Sequence, residues 1–79
     1  MSVETNLVGQ MVGWESWSYV LGRDVELWGE VRAVYVNPHG GLYALVMIVE
    51  NEGQDENFPR RAIRELPVAG LMVVENLDG

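Results

Sequence analysis

Glu26-Leu27-Trp28-Gly29-Glu30-Val31-Arg32-Ala33-Val34-Tyr35-Val36 and Leu42-Tyr43-Ala44-Leu45-Val46-Met47-Ile48-Val49, joined by Asn37-Pro38-His39-Gly40-Gly41, decide the fold. Both runs are rich in β-branched and aromatic residues, and the five residues between them are turn formers, so they predict a β-hairpin. In the first arm Val25, Leu27, Val31, Ala33 and Tyr35 share one parity with Gly29, while Asp24, Glu26, Trp28, Glu30 and Arg32 share the other. A period of two places these sets on opposite faces of a half-buried strand. Trp28 is the exception, an indole among charges. The second arm does not alternate, which predicts cover on both of its faces. Pro38 presets a turn φ, and Gly40 and Gly41 are expected to take the positive φ that reverses the chain.

Outward from the hairpin, the run Leu7 to Trp14 reads as a first strand whose glycines predict a bend or bulge. Glu15 to Gly22 reads as an irregular loop carrying Trp17 and Tyr19, with Trp14 at its edge. The segment Glu50 to Asn57 holds four carboxylates, two asparagines and a glycine, the composition of a solvated turn. Pro59 to Glu65 is predicted to form one helical turn with proline in its first position and with Ile63 and Leu66 as core anchors. Leu71 to Glu75 is a further strand candidate. No internal repeat or low-complexity segment interrupts this order.

The chain has 79 residues and no cysteine. That length predicts one domain over residues 1–79, in which only about 60% of the unfolded surface is hidden on folding. Disulfides, thiolate nucleophiles and cysteine-type metal sites are excluded. A hydrophobic fraction of 48% suffices for a packed core. Five arginines, no lysine and twelve carboxylates give a formal charge of −7, which disfavours nucleic acid and anionic membranes as partners and favours cationic ones. Residues 1 to 6 contain no basic side chain and lead into no long apolar run, so neither signal peptide nor membrane span is expected, and the predicted location is cytoplasmic.

The order of elements resembles the SH3-like barrel, the group that includes SH3, Tudor and KOW-type domains. The features that carry the likeness are Leu7-x-Gly9 opening the first strand, a long loop, Gly29-x-Val31 in the second strand, a tight turn, Tyr43-Ala44-Leu45-Val46 in the third, and a helical turn ending in Ile63-x-x-Leu66. The resemblance covers residues 7–66. It implies an all-β, five-stranded barrel over that core, with a one-turn helix and an extra C-terminal strand at about 70–75. Such barrels host peptide-binding, nucleic-acid-binding and enzymatic roles.

The leading expectation is a non-enzymatic interaction or assembly module without a cofactor. Its predicted binding face combines Trp28, Trp14, Trp17 and Tyr19 with Glu15, Glu26 and Glu30, because aromatic faces and carboxylates together attract cationic or proline-rich protein segments. Against this stands the simpler role of capping the core, which suits Trp14 and Trp17 best. Self-association as a homodimer is also expected, through Leu42, Ala44, Val46 and Ile48 of the unalternating arm together with Leu71 and Val73.

The alternative is an oligomeric pore-type enzyme. The general layout is similar to the plasmid-borne type II dihydrofolate reductases, SH3-like barrels that build one active pore from four subunits. Their Val-Gln-Ile-Tyr pore run would fall near Asn57-Phe58-Pro59-Arg60, which does not match; in that reading Arg60 and Arg61 would contact an anionic cofactor. A nucleic-acid-binding barrel is the third reading, and the negative charge opposes it. His39 stands alone in a turn, without the further ligands a transition metal needs. Ser16 and Ser18 lack the setting that presents a nucleophilic serine. Counting from Asn51, Gly53 and Ala62 occupy positions where a calcium loop needs ligands. Arg60, Arg61 and Arg64 form a basic cluster expected on the surface, paired with Glu56 and Glu65.

Overall fold

From Arg23 to Val36 the chain runs as one continuous strand of 14 residues, and every other element takes its place from it. The computed structural model describes residues 7–74. Five strands follow in chain order: β1 (Met11–Ser18), β2 (Arg23–Val36), β3 (Leu42–Asn51), β4 (Ile63–Pro67) and β5 (Met72–Val73), with a 3-10 turn at Val68–Gly70 between the last two. They form a single antiparallel sheet in the order β4-β3-β2-β1-β5. This all-β plan is compatible in general terms with an SH3-like fold.

The central hairpin forms where the sequence places it. Its turn is closed by Asn37 N–H donating to Gly41 O at 2.7 Å and Gly40 N–H donating to Asn37 O at 2.8 Å. Asn37 adds a side-chain anchor, accepting the His39 N–H on Oδ1 at 2.7 Å, as asparagine commonly does at a turn. Of the two glycines only Gly40 takes a positive φ, 95°.

Two register shifts in the β2–β3 ladder shape the molecule. Trp28 faces Glu50 and Gly29 faces Ile48, which leaves Val49 as an extra residue; Val31 faces Val46 and Ala33 faces Leu45, which leaves Arg32 as another. An inserted residue bends its strand and exchanges the faces beyond it. Val25, Leu27 and Val31 therefore point inward, yet after Arg32 it is Val34, opposite Ala44, that packs on the core. Ala33 and Tyr35, on the inward parity by simple alternation, go to the outer face. At the first bend the strands almost touch: a Cβ on Gly29 would lie 2.5 Å from Met47 O and 2.6 Å from a Val46 methyl. No side chain larger than hydrogen fits there without displacing backbone.

The core consists of Val12, Trp14, Val25, Leu27, Val31, Ala44, Val46 and Ile48, with Leu7, Val34, Phe58, Ala62, Leu66, Val68 and Leu71 packed around it. Each large member contributes about 1.5–3 kcal/mol by leaving water. Ala44, Val46 and Ile48 are thus the inner row of β3 and are fully covered within one chain. They do not form the intersubunit surface expected of them. Leu71 is half-buried against the same core, whereas Leu42 and Val73 are exposed. Alternation along β3 is hidden in the sequence because its outer row, Tyr43, Leu45, Met47 and Val49, is also apolar and is half-covered.

Three boundaries differ from the sequence expectation. The first strand begins later and runs on through Trp14-Glu15-Ser16-Trp17-Ser18, where a loop was expected. Leu7 to Gln10 is instead a turn, with Gly9 at φ 87° and its N–H bonded to Val31 O at 2.8 Å. The helical turn lies at Val68–Gly70, and residues 63–67 are strand β4. Pro59 starts only a single bend, closed by Ala62 N–H on Pro59 O at 3.2 Å. Arg61 then adopts φ 72°, outside the helical region, and returns the chain to an extended path beside β3. Ile63 consequently points outward opposite Met47, while Leu66, opposite Ala44, is the core anchor expected of it. The C-terminal strand is the fifth of the five, pairing Met72 with Gly13 and Val73 with Val12 of the same chain.

The close crossing at Gly29 has a measurable consequence. Gly29→Ala forces a shift of the Met47 carbonyl and is expected to cost about 1–3 kcal/mol, the range for overpacking, read as a lower urea midpoint at unchanged slope. Gly13→Ala meets its nearest atom at 3.4 Å, the flexible edge of Trp28, and should leave the midpoint nearly where it was.

Candidate binding face

The outward residues of β1 and β2 form a ladder in register: Met11 opposite Glu30, Gly13 opposite Trp28, Glu15 opposite Glu26, and Trp17 opposite Asp24. Along each strand side chains on one face recur every ~7 Å, so carboxylates and indoles interleave at that spacing. Trp28 lies across Gly13, whose missing side chain leaves a flat seat for the indole. Trp17 packs edge-on against Tyr19, with centroids 6.4 Å apart and planes at 79°.

The electrostatics of this face are unbalanced. Glu15 and Glu26 are directly opposed, an arrangement that destabilises a sheet by like-charge repulsion. Among the described residues the ion pairs are Arg23 with Glu52 and Arg32 with Glu30, both at 3.5 Å, so Glu15, Asp24 and Glu26 have no cationic partner there. Glu26 is additionally held by its own N–H donating to Glu52 Oε1 at 2.9 Å. A cleft lined by Gly13, Trp14, Glu15, Glu26, Gly70 and Met72 runs beside the pair.

Of the aromatic residues expected on this face, Trp17, Tyr19 and Trp28 are brought together with Glu15, Glu26 and Glu30. Trp14 belongs elsewhere. It sits on the inner parity opposite Leu27, only 9% exposed, and fills the core, contributing no more than an edge to the cleft.

A second cluster went unseen in the sequence. Ser18 is fully buried and donates its hydroxyl to Asp55 Oδ2 at 2.5 Å, across 37 residues. Its Oγ accepts the Leu21 N–H at 3.1 Å, fixing the turn between β1 and β2. Asp55 accepts the Asn57 N–H on Oδ1 at 2.9 Å and donates its own N–H to Asn51 Oδ1 at 2.8 Å, while Asn51 donates to Phe58 O at 3.1 Å. Every buried side-chain nitrogen and oxygen among the described residues has a partner. The Asp55-x-Asn57 spacing was the one local signal, since it permits an Asx turn. Nothing near Asp55 in sequence announces Ser18.

The remaining polar candidates have structural posts. His39 is exposed in its turn. Arg60 donates to Val49 O at 3.0 Å, and Arg64 donates to Asn57 O at 2.7 Å while lying over the Phe58 ring at 5.8 Å. Both guanidiniums thus fasten the 55–62 segment through carbonyls, where ion pairs with Glu56 and Glu65 were expected. Among the described residues no group of acidic and histidine side chains could hold a metal ion, and no helix is long and apolar enough to cross a membrane. Compared with known proteins, the chain matches no family model, no curated protein and no solved structure.

The Ser18 hydroxyl, then the Asn57 N–H, hold the Asp55 carboxyl below its ordinary value of 3.8. A group with a lowered folded pKa contributes stability that is present above the unfolded value and is lost as pH falls through the folded one. Ser18→Ala is expected to lower Tm at neutral pH. Melting curves across the acid range should show the gap between variant and wild type narrowing below the unfolded pKa of Asp55.

Proposed function

We propose that the protein is a non-enzymatic interaction module of SH3-like build whose outer β1–β2 face binds a cationic segment of a protein partner. The observation that carries this reading is the Glu15–Glu26 pair, opposed in register without a counter-cation and flanked by Trp17 and Trp28. An arginine or lysine entering between the two carboxylates relieves their repulsion and meets an indole on either side. The aromatic quadrupole and the carboxylates then act on the same charge, at about 0.5–2 kcal/mol for each well-placed cation-π contact.

The spacing selects the form of the ligand. An extended peptide presents alternate side chains every ~7 Å, the repeat of the Glu30-Trp28-Glu26-Asp24 row, so cationic residues two apart address successive acidic positions. The 3-10 turn before the last strand and the antiparallel order support the SH3-like comparison. The formal charge of −7 supports a cationic partner over nucleic acid.

Tryptophan fluorescence titration with an Arg-x-Arg peptide and with an acidic peptide of equal length tests the reading. The cationic peptide is expected to bind, more weakly as salt rises, and Trp28→Ala should weaken it about 2- to 30-fold, the factor that one cation-π contact represents. Equal binding of both peptides, or an unchanged affinity in the variant, overturns it.

A further inference from the structure

The outer surface of the same sheet carries a second patch of opposite sign. Met47 and Val49 of β3 are half-buried, and Ile63 beside them on β4 is 52% exposed. Arg60 and Arg61 line a groove with Met47 and Val49, and Arg32 reaches the Met47 sulfur at 4.0 Å. Three of the chain's five cations therefore surround one apolar strip. The Arg61 side chain makes no ion pair or hydrogen bond among the described residues. Its backbone is held in the left-handed region at φ 72° by an N–H bond to Ile48 O at 2.7 Å, a conformation that costs free energy in a non-glycine residue.

The acidic face ends in an apolar tip. In the turn from β1 to β2, Tyr19 is 87% and Val20 70% exposed, next to Trp17. This tip is braced from beneath. Ser18 is locked to Asp55, and Leu21 lies so close over Gly53 that a Cβ there would be 2.4 Å from its Cδ1. A turn whose backbone is already fixed loses less freedom on docking, which favours association.

We propose that these two surfaces are complementary halves of one contact between copies of this chain. The hairpin of one copy, with Trp17, Tyr19, Val20, Glu15, Asp24 and Glu26, docks on the arginine-lined strip of the next. The inference rests on the reading of the β1–β2 face as a binding face and names its partner as a second copy. Apolar tip meets apolar strip, and unpaired carboxylates meet Arg60 and Arg61, with Arg32, already paired with Glu30, at the edge of the strip. Elsewhere two copies of a chain with charge −7 repel, so this pairing is the approach that electrostatics favours. Because the contact joins two different patches, it is heterologous, and assembly continues past a dimer or closes into a ring.

Light scattering of the full chain at high micromolar concentration and low salt tests this. The wild type is expected to show a mass above 8.9 kDa that rises with concentration and falls on adding salt. Glu15→Lys with Glu26→Lys, and separately Arg60→Glu with Arg61→Glu, should each weaken association at least about tenfold, the scale of losing a close charge pair. An equimolar mixture of the two variants, which re-creates opposite charges across the contact, should associate again. Thermal melts establish that both variants fold. Arg61→Glu alone serves if Arg60, through its bond to Val49 O, proves necessary for folding. A monomeric wild type, a variant that associates as the wild type does, or a mixture that stays monomeric overturns the proposal. Arg-x-Arg peptide binding that persists in a monomeric wild type removes the self-contact and leaves the cation-binding face standing; loss of both removes both.

Discussion

The approach of β2 to β3 at Gly29 is the constraint on which the rest of the structure depends. With 2.5 Å between a would-be Cβ and the Met47 carbonyl, the two strands cross more closely than any side chain allows. The extra residue at Val49 sits beside this crossing, and the one at Arg32 follows three positions later. A bend at this point lets one long strand serve two parts of the sheet, pairing with β1 over its first half and with β3 along most of its length. Val12, Leu27, Val31, Val46 and Ile48 meet inside as a result. A flat sheet of these strands would leave the same residues facing water, with too little cover for a chain of this size.

The Ser18–Asp55 bond is the polar counterpart of that crossing. It ties the end of β1 to the segment after β3, and both ends are buried. Its importance follows from where it sits, directly below the exposed hairpin tip. Apolar surface presented to water is usually mobile or covered; here it is fixed by a hydrogen-bonded floor. The Arg60 and Arg64 bonds to main-chain carbonyls do similar work for the 55–62 segment. Order in these segments therefore comes from side-chain hydrogen bonds, Ser18 to Asp55 and the two arginines to main-chain carbonyls, since β4 and β5 are short.

Charge is distributed unevenly over this frame. On the β1–β2 face Glu15, Asp24 and Glu26 have no cation among the described residues, while Arg60 and Arg61 line the groove beside Met47 and Arg32 bridges Met47 and Glu30. Had pairing within the chain been the main use of these groups, Glu15 and Glu26 would not stand opposite each other. That unrelieved repulsion is what the proposed cationic partner would relieve.

Periodicity and turn chemistry carried the hairpin from Glu26 to Val49, the all-β class and the placement of Trp28 among carboxylates. Those features depend on residues within a few positions of one another, and the chain determined them by itself. Tertiary structure alone decided the rest. The inward parity of β2 changes at Arg32 because the strands bend there, and no count along the sequence registers an inserted residue. Glu15 to Ser18 looked irregular because Ser16 and Ser18 occupy inward positions; a buried serine is stable only because Asp55 arrives from 37 residues away. Residues 63–67 became strand because β3 offered an edge to pair with and Arg61 turned the chain toward it. Local propensity acts through nearest neighbours, whereas bends, buried polar pairs and edge pairing draw their free energy from contacts that exist only once the sheet has assembled.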